Sequence, residues 1–353
     1  MLADLEAIVK LESPTEDLQA CRDVIALADQ IATRILGTPA EIREVNGRPV
    51  FWWGSQNPDV VVLAHLDTVW PKGSFEPLWQ VEGNAARGPG VFDMKAGFIQ
   101  ALYAMKGITA GAALVATTDE ETGSATSKEF IKEISAKAKA VLVLEATLNG
   151  KVKTGRKGTA MYQVKIHGKA SHAGLDPEKG INATIEIAHA VLAIAALQNP
   201  EHGTTVVPTT LHAGNTTNTV PDLAVLDIDI RSYSMADLQR VDAAIKALKA
   251  VNPGCRYEIT GGFNRPPLET SSTMALYERA EKVAKELGMP PLGHASVGGA
   301  SDGNFAAAAG AQVLDGLGAI GDGAHATHEW VDITTLEDRS KLLHALIKDL
   351  LNE

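Results

Sequence analysis

The sequence predicts an α/β protein with a mainly parallel sheet, into which a ferredoxin-like β-α-β-β-α-β unit is inserted. Three observations carry that reading. Short apolar runs at 58–65 (PDVVVLAH), 112–118 (AALVATT) and 140–145 (AVLVLE) have the length and bounding residues of buried strands. A helix-like stretch at 95–106 lies between the first two, giving the alternation of a parallel α/β sheet. The middle of the chain then changes pattern: strand 160–167, helix 180–198, strands 204–213 and 222–231, helix 235–249, strand 256–261.

The periodicities support these elements. In 222–231, Ala224, Leu226, Ile228 and Ile230 share one face, while Asp227, Asp229 and Arg231 share the other. Helix 235–249 places Leu238, Val241, Ile245 and Leu248 at three- and four-residue spacing. Helix 180–198 puts Ile181, Ile185 and Ala188 on one face. The last third returns to a Gly-rich α/β pattern and closes with an amphipathic helix at 333–351, carrying Leu336, Leu343, Ile347 and Leu350. The expected domains are therefore 1–155 together with 267–353, and 156–266.

Composition narrows the function. At roughly 150 residues per domain, 353 residues suggest two domains. Thirty-two basic against 43 acidic residues, a net −11, argue against nucleic acid as partner, because phosphate binding needs a basic footprint. Two distant cysteines, Cys21 and Cys255, exclude a disulfide framework and a four-cysteine zinc site. Any metal must be held by His, Asp and Glu. No apolar run reaches the length of a membrane span. The first residues lack the basic start and apolar centre of a secretory signal, so a cytoplasmic location is expected.

Ligand sites of parallel sheets gather at the carboxyl ends of the strands. Polar residues stand there: His65 and Asp67, then Asp119, Glu120 and Glu121, then Glu145. His65 and Asp67, two apart, point the same way, so Asp67 can support the histidine. The Gly-rich turn 88–97 (GPGVFDMKAG) presents Asp93 ahead of a helix and is not a phosphate loop. Three adjacent carboxylates at 119–121 are costly in a cleft unless a cation neutralises them, and a solvated loop is the bland alternative. Glu145 ends an apolar run, where an unpaired carboxylate is also costly, so it suits a metal or an ion pair. Near the C-terminus, 323–330 (GAHATHEW) offers His325 and His328 beside Glu329, and either histidine could ligate a metal.

Taken in order, HLDTV at 65–69, GPGVFDMKAG, Glu120-Glu121, Glu145 and AHATHEW resemble the M20 family of dinuclear zinc metallopeptidases. That family includes glutamate carboxypeptidases, acetylornithine deacetylases and aminoacylases. HLDTVWPKGSF, GKASHAGLDPEKGINA, NRPP and GGASDGNF look most like the glutamate carboxypeptidase branch. The resemblance implies a zinc-peptidase-like α/β/α catalytic domain with an inserted dimerisation or lid domain. It implies two Zn2+ per chain, with Co2+ or Mn2+ as substitutes. Asp93 would bridge the ions, His65 and Glu145 would complete one, and Glu121 and His325 the other. Glu120 would be the general base. His172 would stabilise the oxyanion from the partner of a homodimer, assisted by Asn218. Arg265 would hold the substrate's terminal carboxylate. Arg231 and the loop holding Gly299 are weaker candidates for substrate contact. Trp52, Trp53, Trp70 and Trp79 are read as packing.

The implied reaction is cleavage of an amide beside a free carboxylate. It would release a C-terminal amino acid, glutamate by the branch resemblance, from a small peptide or an N-acyl conjugate. The same chemistry serves an N-acyl amino acid deacylase. Two readings of other classes are a catalytically inactive dimeric binding homologue and a two-metal phosphoesterase. All the matching positions are filled, which weighs against the first, and no basic cluster accompanies the acidic motifs, which weighs against the second.

Overall fold

The structure, a computed structural model, describes residues 1–352. It divides into two compact units, Met1–Arg156 with Leu268–Glu353, and Lys157–Pro267.

The first unit holds a six-stranded sheet. Its strands lie in the order Glu41–Val45, Arg48–Gly54, Ala112–Thr117, Val60–His65, Ala140–Val143, Gln312–Leu314. The last four are parallel to one another. The first two form an antiparallel hairpin, and Arg48–Gly54 also runs antiparallel to Ala112–Thr117. The sheet is thus mixed: the strands read from the apolar runs are parallel, as the sequence pattern suggested, and the hairpin adds two antiparallel pairings. The reason is the Asn46-Gly47 turn, both residues at positive φ (50° and 84°). That geometry suits the two-residue hairpin turn that Asn-Gly favours.

Every residue of Val60–His65 and Ala112–Thr117 is buried, because helices cover both faces. Val60, Val62 and Leu114 pack in one core with residues of the helices Leu18–Leu36, Ala96–Ala104 and Leu336–Leu351. Val61, Leu63 and Val115 face the other way, into a core shared with Lys128–Ser135 and Asp302–Ala308. Alternation along each strand therefore feeds two cores, an α/β/α arrangement.

The second unit is an antiparallel sheet in the order Thr205–Ala213, Leu223–Ser232, Gly158–His167, Arg256–Arg265. Helices Ala183–Ala195 and Met235–Lys246 cover one face, against Val164, Ile166, Ala224, Leu226, Ile228 and Ile230. The element order is β-α-β-β-α-β, the ferredoxin-like unit. One face is corrected. On Ala183–Ala195 the buried residues are Ala183, Glu186, Ile187, Ala190 and Ile194, whereas Ile185 and Ala188 are exposed. Both faces of this helix are apolar, so its pattern does not say which one packs. No helix among the described residues is long and apolar enough to cross a membrane.

Candidate active site

His65 is the last residue of a central strand and is buried. Its Nδ1 lies 3.1 Å from the Asp67 carbonyl oxygen and 3.4 Å from Asp67 Oδ1. Asp67 Oδ2 accepts from Thr15 Oγ1 at 2.7 Å and from the Glu121 amide at 3.1 Å. Burial works to raise the Asp67 carboxyl, but the bonds from His65, Thr15 and Glu121 outweigh it, and its pKa lies below the usual carboxylate value. Asp67 therefore stays ionised and orients the ring, which leaves Nε2 pointing into the site.

That nitrogen lies 3.3 Å from Asp93 Oδ1 and 3.7 Å from Glu145 Oε1. On the other side of Asp93, His325 Nε2 lies 3.4 Å from Oδ2 and 3.0 Å from Glu121 Oε2. The two oxygens of Asp93 thus face two different trios, His65–Asp93–Glu145 and Asp93–Glu121–His325. In each trio the ligand atoms lie within 4.8 Å of one another. The donors are imidazole nitrogens and carboxylate oxygens only, a set that suits zinc and its first-row neighbours. Three largely buried carboxylates meeting in this space repel one another unless cations neutralise them. The residues fit a pair of metal ions sharing Asp93.

Each side chain is aimed by its local fold. Gly90, at φ +70°, brings the 88–93 loop against Thr68, whose methyl would stand 2.5 Å from any added Cβ. Glu329 anchors that loop, accepting from the amides of Gly90 (3.0 Å), Phe92 (2.8 Å) and Asp93 (3.0 Å). Trp70 Nε1 bonds the same carboxylate at 3.3 Å, so this tryptophan does more than pack. His325 lies in a loop between the paired strands Gly321–Asp322 and Trp330–Asp332, with its backbone at φ +62°. Non-glycine residues held in that region are enriched at functional sites. His328, three residues on, is exposed and belongs to neither trio.

The acidic triplet separates in space. Glu120 and Glu121 sit in a single 3-10 turn that ends on Gly123 at φ +92°. Asp119 turns away and accepts from the amides and hydroxyls of Thr126 and Ser127. Three like charges therefore do not share one cleft. Glu120, next to Glu121 in that turn, is buried and belongs to neither trio.

Electrostatics agree with an ion-seeking cluster. Burial pushes the Glu121 carboxyl up, against the His325 bond that lowers it. Bonds to Asp93 and Glu121 hold His325 protonated, with a pKa raised to about 10. Burial opposes ionisation of Asp93, but its two histidine partners win and keep it well below the usual value. Without metal, protons on the histidines do part of the neutralising that cations would do.

Two further residues belong to this centre, and sequence reasoning did not single them out. Arg156 NH2 bonds Glu145 Oε2 at 3.0 Å, and the same guanidinium grips Asp315. The Gly299 carbonyl, expected near substrate, accepts from Arg156 NH1 at 3.2 Å.

In the second unit, Ser171-His172 pairs with Thr219-Val220, and the Ala173 amide donates to the Asn218 carbonyl at 2.9 Å. His172 Nδ1 accepts from the amides of Gly174 (3.1 Å) and Leu175 (3.0 Å). In the neutral ring Nε2 therefore carries the proton and is free to donate. Arg265 is buried at the end of its strand. Arg231 is tied to Asp229 on the solvent face.

Residues 61–349 match the family described as Peptidase family M20/M25/M40. The chain belongs to that family. It is an M20 metallohydrolase, a class of metal-dependent peptidases and deacylases, and His65, Asp93 and Glu145 form a candidate metal site in it. It is similar to carboxypeptidase G2 of Pseudomonas sp. (strain RS-16), at 33% identity over 316 residues, 84% of this chain and 75% of that protein. It is also similar to succinyl-diaminopimelate desuccinylase of Sulfurovum sp. (strain NBC37-1), at 28% identity, 83% of this chain and 84% of that protein. Its fold matches the crystal structure of a tripeptidase from Staphylococcus aureus (TM-score 0.80, 22% identity, 100% of this chain and 98% of that one).

Proposed function

We propose that this M20 hydrolase binds two zinc ions through His65, Asp93, Glu145, Glu121 and His325, and releases a C-terminal amino acid, glutamate in the first instance, from small peptides or N-acyl conjugates. The observation that carries the two-metal reading is Asp93, whose two oxygens each face a separate His–carboxylate pair. The glutamate reading is supported by the 33% identity to carboxypeptidase G2 and by Arg265, whose forked guanidinium suits a terminal carboxylate.

Zinc held by these five side chains would supply Lewis acidity and a water acidic enough to react near neutral pH. Glu120 takes the proton from water and delivers it to the leaving amine. Asp67 keeps the His65 ring in register through Nδ1. In a homodimer, His172 of the partner subunit, with Nε2 as donor and Asn218 alongside, steadies the oxygen that gains charge. Arg265 fixes the substrate carboxylate and sets which bond is presented.

A second reading has its own support. The 28% identity to a desuccinylase over most of both chains favours removal of an acyl group from an amino acid. The same five ligands and the same base serve it. Hydrolysis of a panel of N-acyl glutamates, N-acetyl and N-succinyl amino acids and dipeptides, with Glu120→Gln as control, separates the two. Glutamate release supports the first, preference for short acyl groups the second. No turnover with metal bound supports a binding role.

The assembly we propose is a homodimer through the second unit. Helix Ala183–Ala195 exposes Ile185 (62%) and Leu192 (71%). The adjoining edge strand Thr205–Ala213 exposes Val207 and Leu211. An apolar face beside an unpaired strand edge suits a second copy of the same surface.

A further inference from the structure

We infer that the Ser301–Asp302 dipeptide is a positioning hub, holding both halves of the metal centre through two separate chains of buried hydrogen bonds. The inference rests on reading Glu145 and Glu121 as ligands. It assigns to the GGASDG segment a role other than touching substrate.

The first chain runs to Glu145. Ser301 Oγ donates to Asp315 Oδ2 at 2.6 Å. Asp315 receives Arg156 through Nε at 2.7 Å and NH2 at 3.0 Å, a two-pronged grip. The same NH2 bonds Glu145 Oε2 at 3.0 Å, and Glu145 Oε1 faces His65 Nε2. Arg156 NH1 is held by the carbonyls of Gly299 and Ala300, each at 3.2 Å. These are the two residues just before the dipeptide, so the chain closes on itself. The guanidinium thus takes up one oxygen of Glu145 and leaves the other for the site.

The second chain runs to Glu120 and Glu121. Asp302 Oδ2 accepts from Thr117 Oγ1 at 3.1 Å, and Oδ1 accepts from Ser124 Oγ. Thr117 ends the strand before the 3-10 turn, and Ser124 follows the turn, with its amide bonded to the Asp119 carbonyl at 2.8 Å. One carboxylate therefore ties both ends of the turn that carries the two glutamates. Thr117, Ser124, Ser301 and Asp315 are fully buried, and Arg156 and Asp302 are nearly so. A buried ion pair such as Arg156–Asp315 is weak evidence for stability. Its placement behind a ligand fits orientation, the task that outer partners perform in metal sites.

The test is zinc affinity of the metal-free full chain, measured by competition with a chelating indicator and checked by the visible absorption of the Co2+-loaded protein. Ser301→Ala is expected to weaken one of two zinc equivalents by about 10- to 100-fold, and Asp302→Asn the other. Adding Ser301→Ala to Glu145→Ala should cost nothing further, because both act on one half-site. Arg156→Lys, which keeps the charge and loses the fork, should reproduce Ser301→Ala, and it carries the test if that variant does not fold. Variants that lower only the unfolding midpoint of the metal-free chain, with zinc affinities and the cobalt spectrum unchanged, would overturn the inference. If Glu145→Ala and Glu121→Ala also left zinc binding intact, the ligand reading would fail and take the hub with it.

Discussion

At Asp93 a single carboxylate faces two histidines, one on each oxygen, 3.3 and 3.4 Å away. That sharing makes the two half-sites separable by mutation. His325→Ala is expected to remove one metal equivalent and reduce turnover by at least about 100-fold, while His328→Ala keeps both metals. Metal analysis of the dialysed variants checks it, and loss of metal in His328→Ala would reverse the assignment. Glu120 precedes Glu121 in the same turn and belongs to neither trio. Glu120→Gln should therefore retain metal and lose about 10²- to 10⁴-fold in kcat, the usual contribution of a positioned base. The residue types of this cluster were legible from strand ends and loops. Glu329 as an anchor was not, because its three amide partners lie more than two hundred residues earlier in the chain. Arg156 and Asp315, 159 residues apart, are hidden for the same reason.

At the scale of elements, the helix Ala183–Ala195 shows where pattern runs out. It is apolar on two faces, and the one that packs carries a buried acid, Glu186. That carboxylate accepts from the amides of Val251 and Asn252 and from the Tyr257 hydroxyl, pinning a loop and a strand to the helix. Burial works to raise its pKa, and these three bonds outweigh it, so it lies below the ordinary value. A carboxyl lowered on folding adds stability above its unfolded pKa, and that stability is lost as pH falls through the folded one. Glu186→Gln should therefore cost about 1–3 kcal/mol at pH 7, and the gap from wild type should shrink by pH 3.5. Urea midpoints at the two pH values measure this, and a constant gap would contradict it. The hairpin at 41–54 teaches the opposite lesson. Its Asn46-Gly47 signal stood in the sequence, and it makes the sheet mixed.

At the scale of the molecule, two compact units divide the chain after Arg156 and before Leu268. The proposed dimer places the exposed face of Ala183–Ala195 against a second copy. Leu192→Glu is expected to shift the protein from dimer to monomer in analytical ultracentrifugation, with the metal content of each chain unchanged. A monomeric wild type would refute the assembly. A dimer that survives Leu192→Glu would move the interface elsewhere.

The sequence by itself determined the family, the α/β fold with its inserted ferredoxin-like unit, and the residue types able to hold metal, because those depend on short-range periodicity and on motifs a few residues long. The tertiary structure alone decided which acid of the triplet turns away and which face of a doubly apolar helix packs. It also decided what stands behind Glu145 and the Glu120–Thr122 turn. Each of these depends on side chains that only folding brings within a few ångströms, where hydrogen bonds and burial, acting over that short range, choose among residues of the same type.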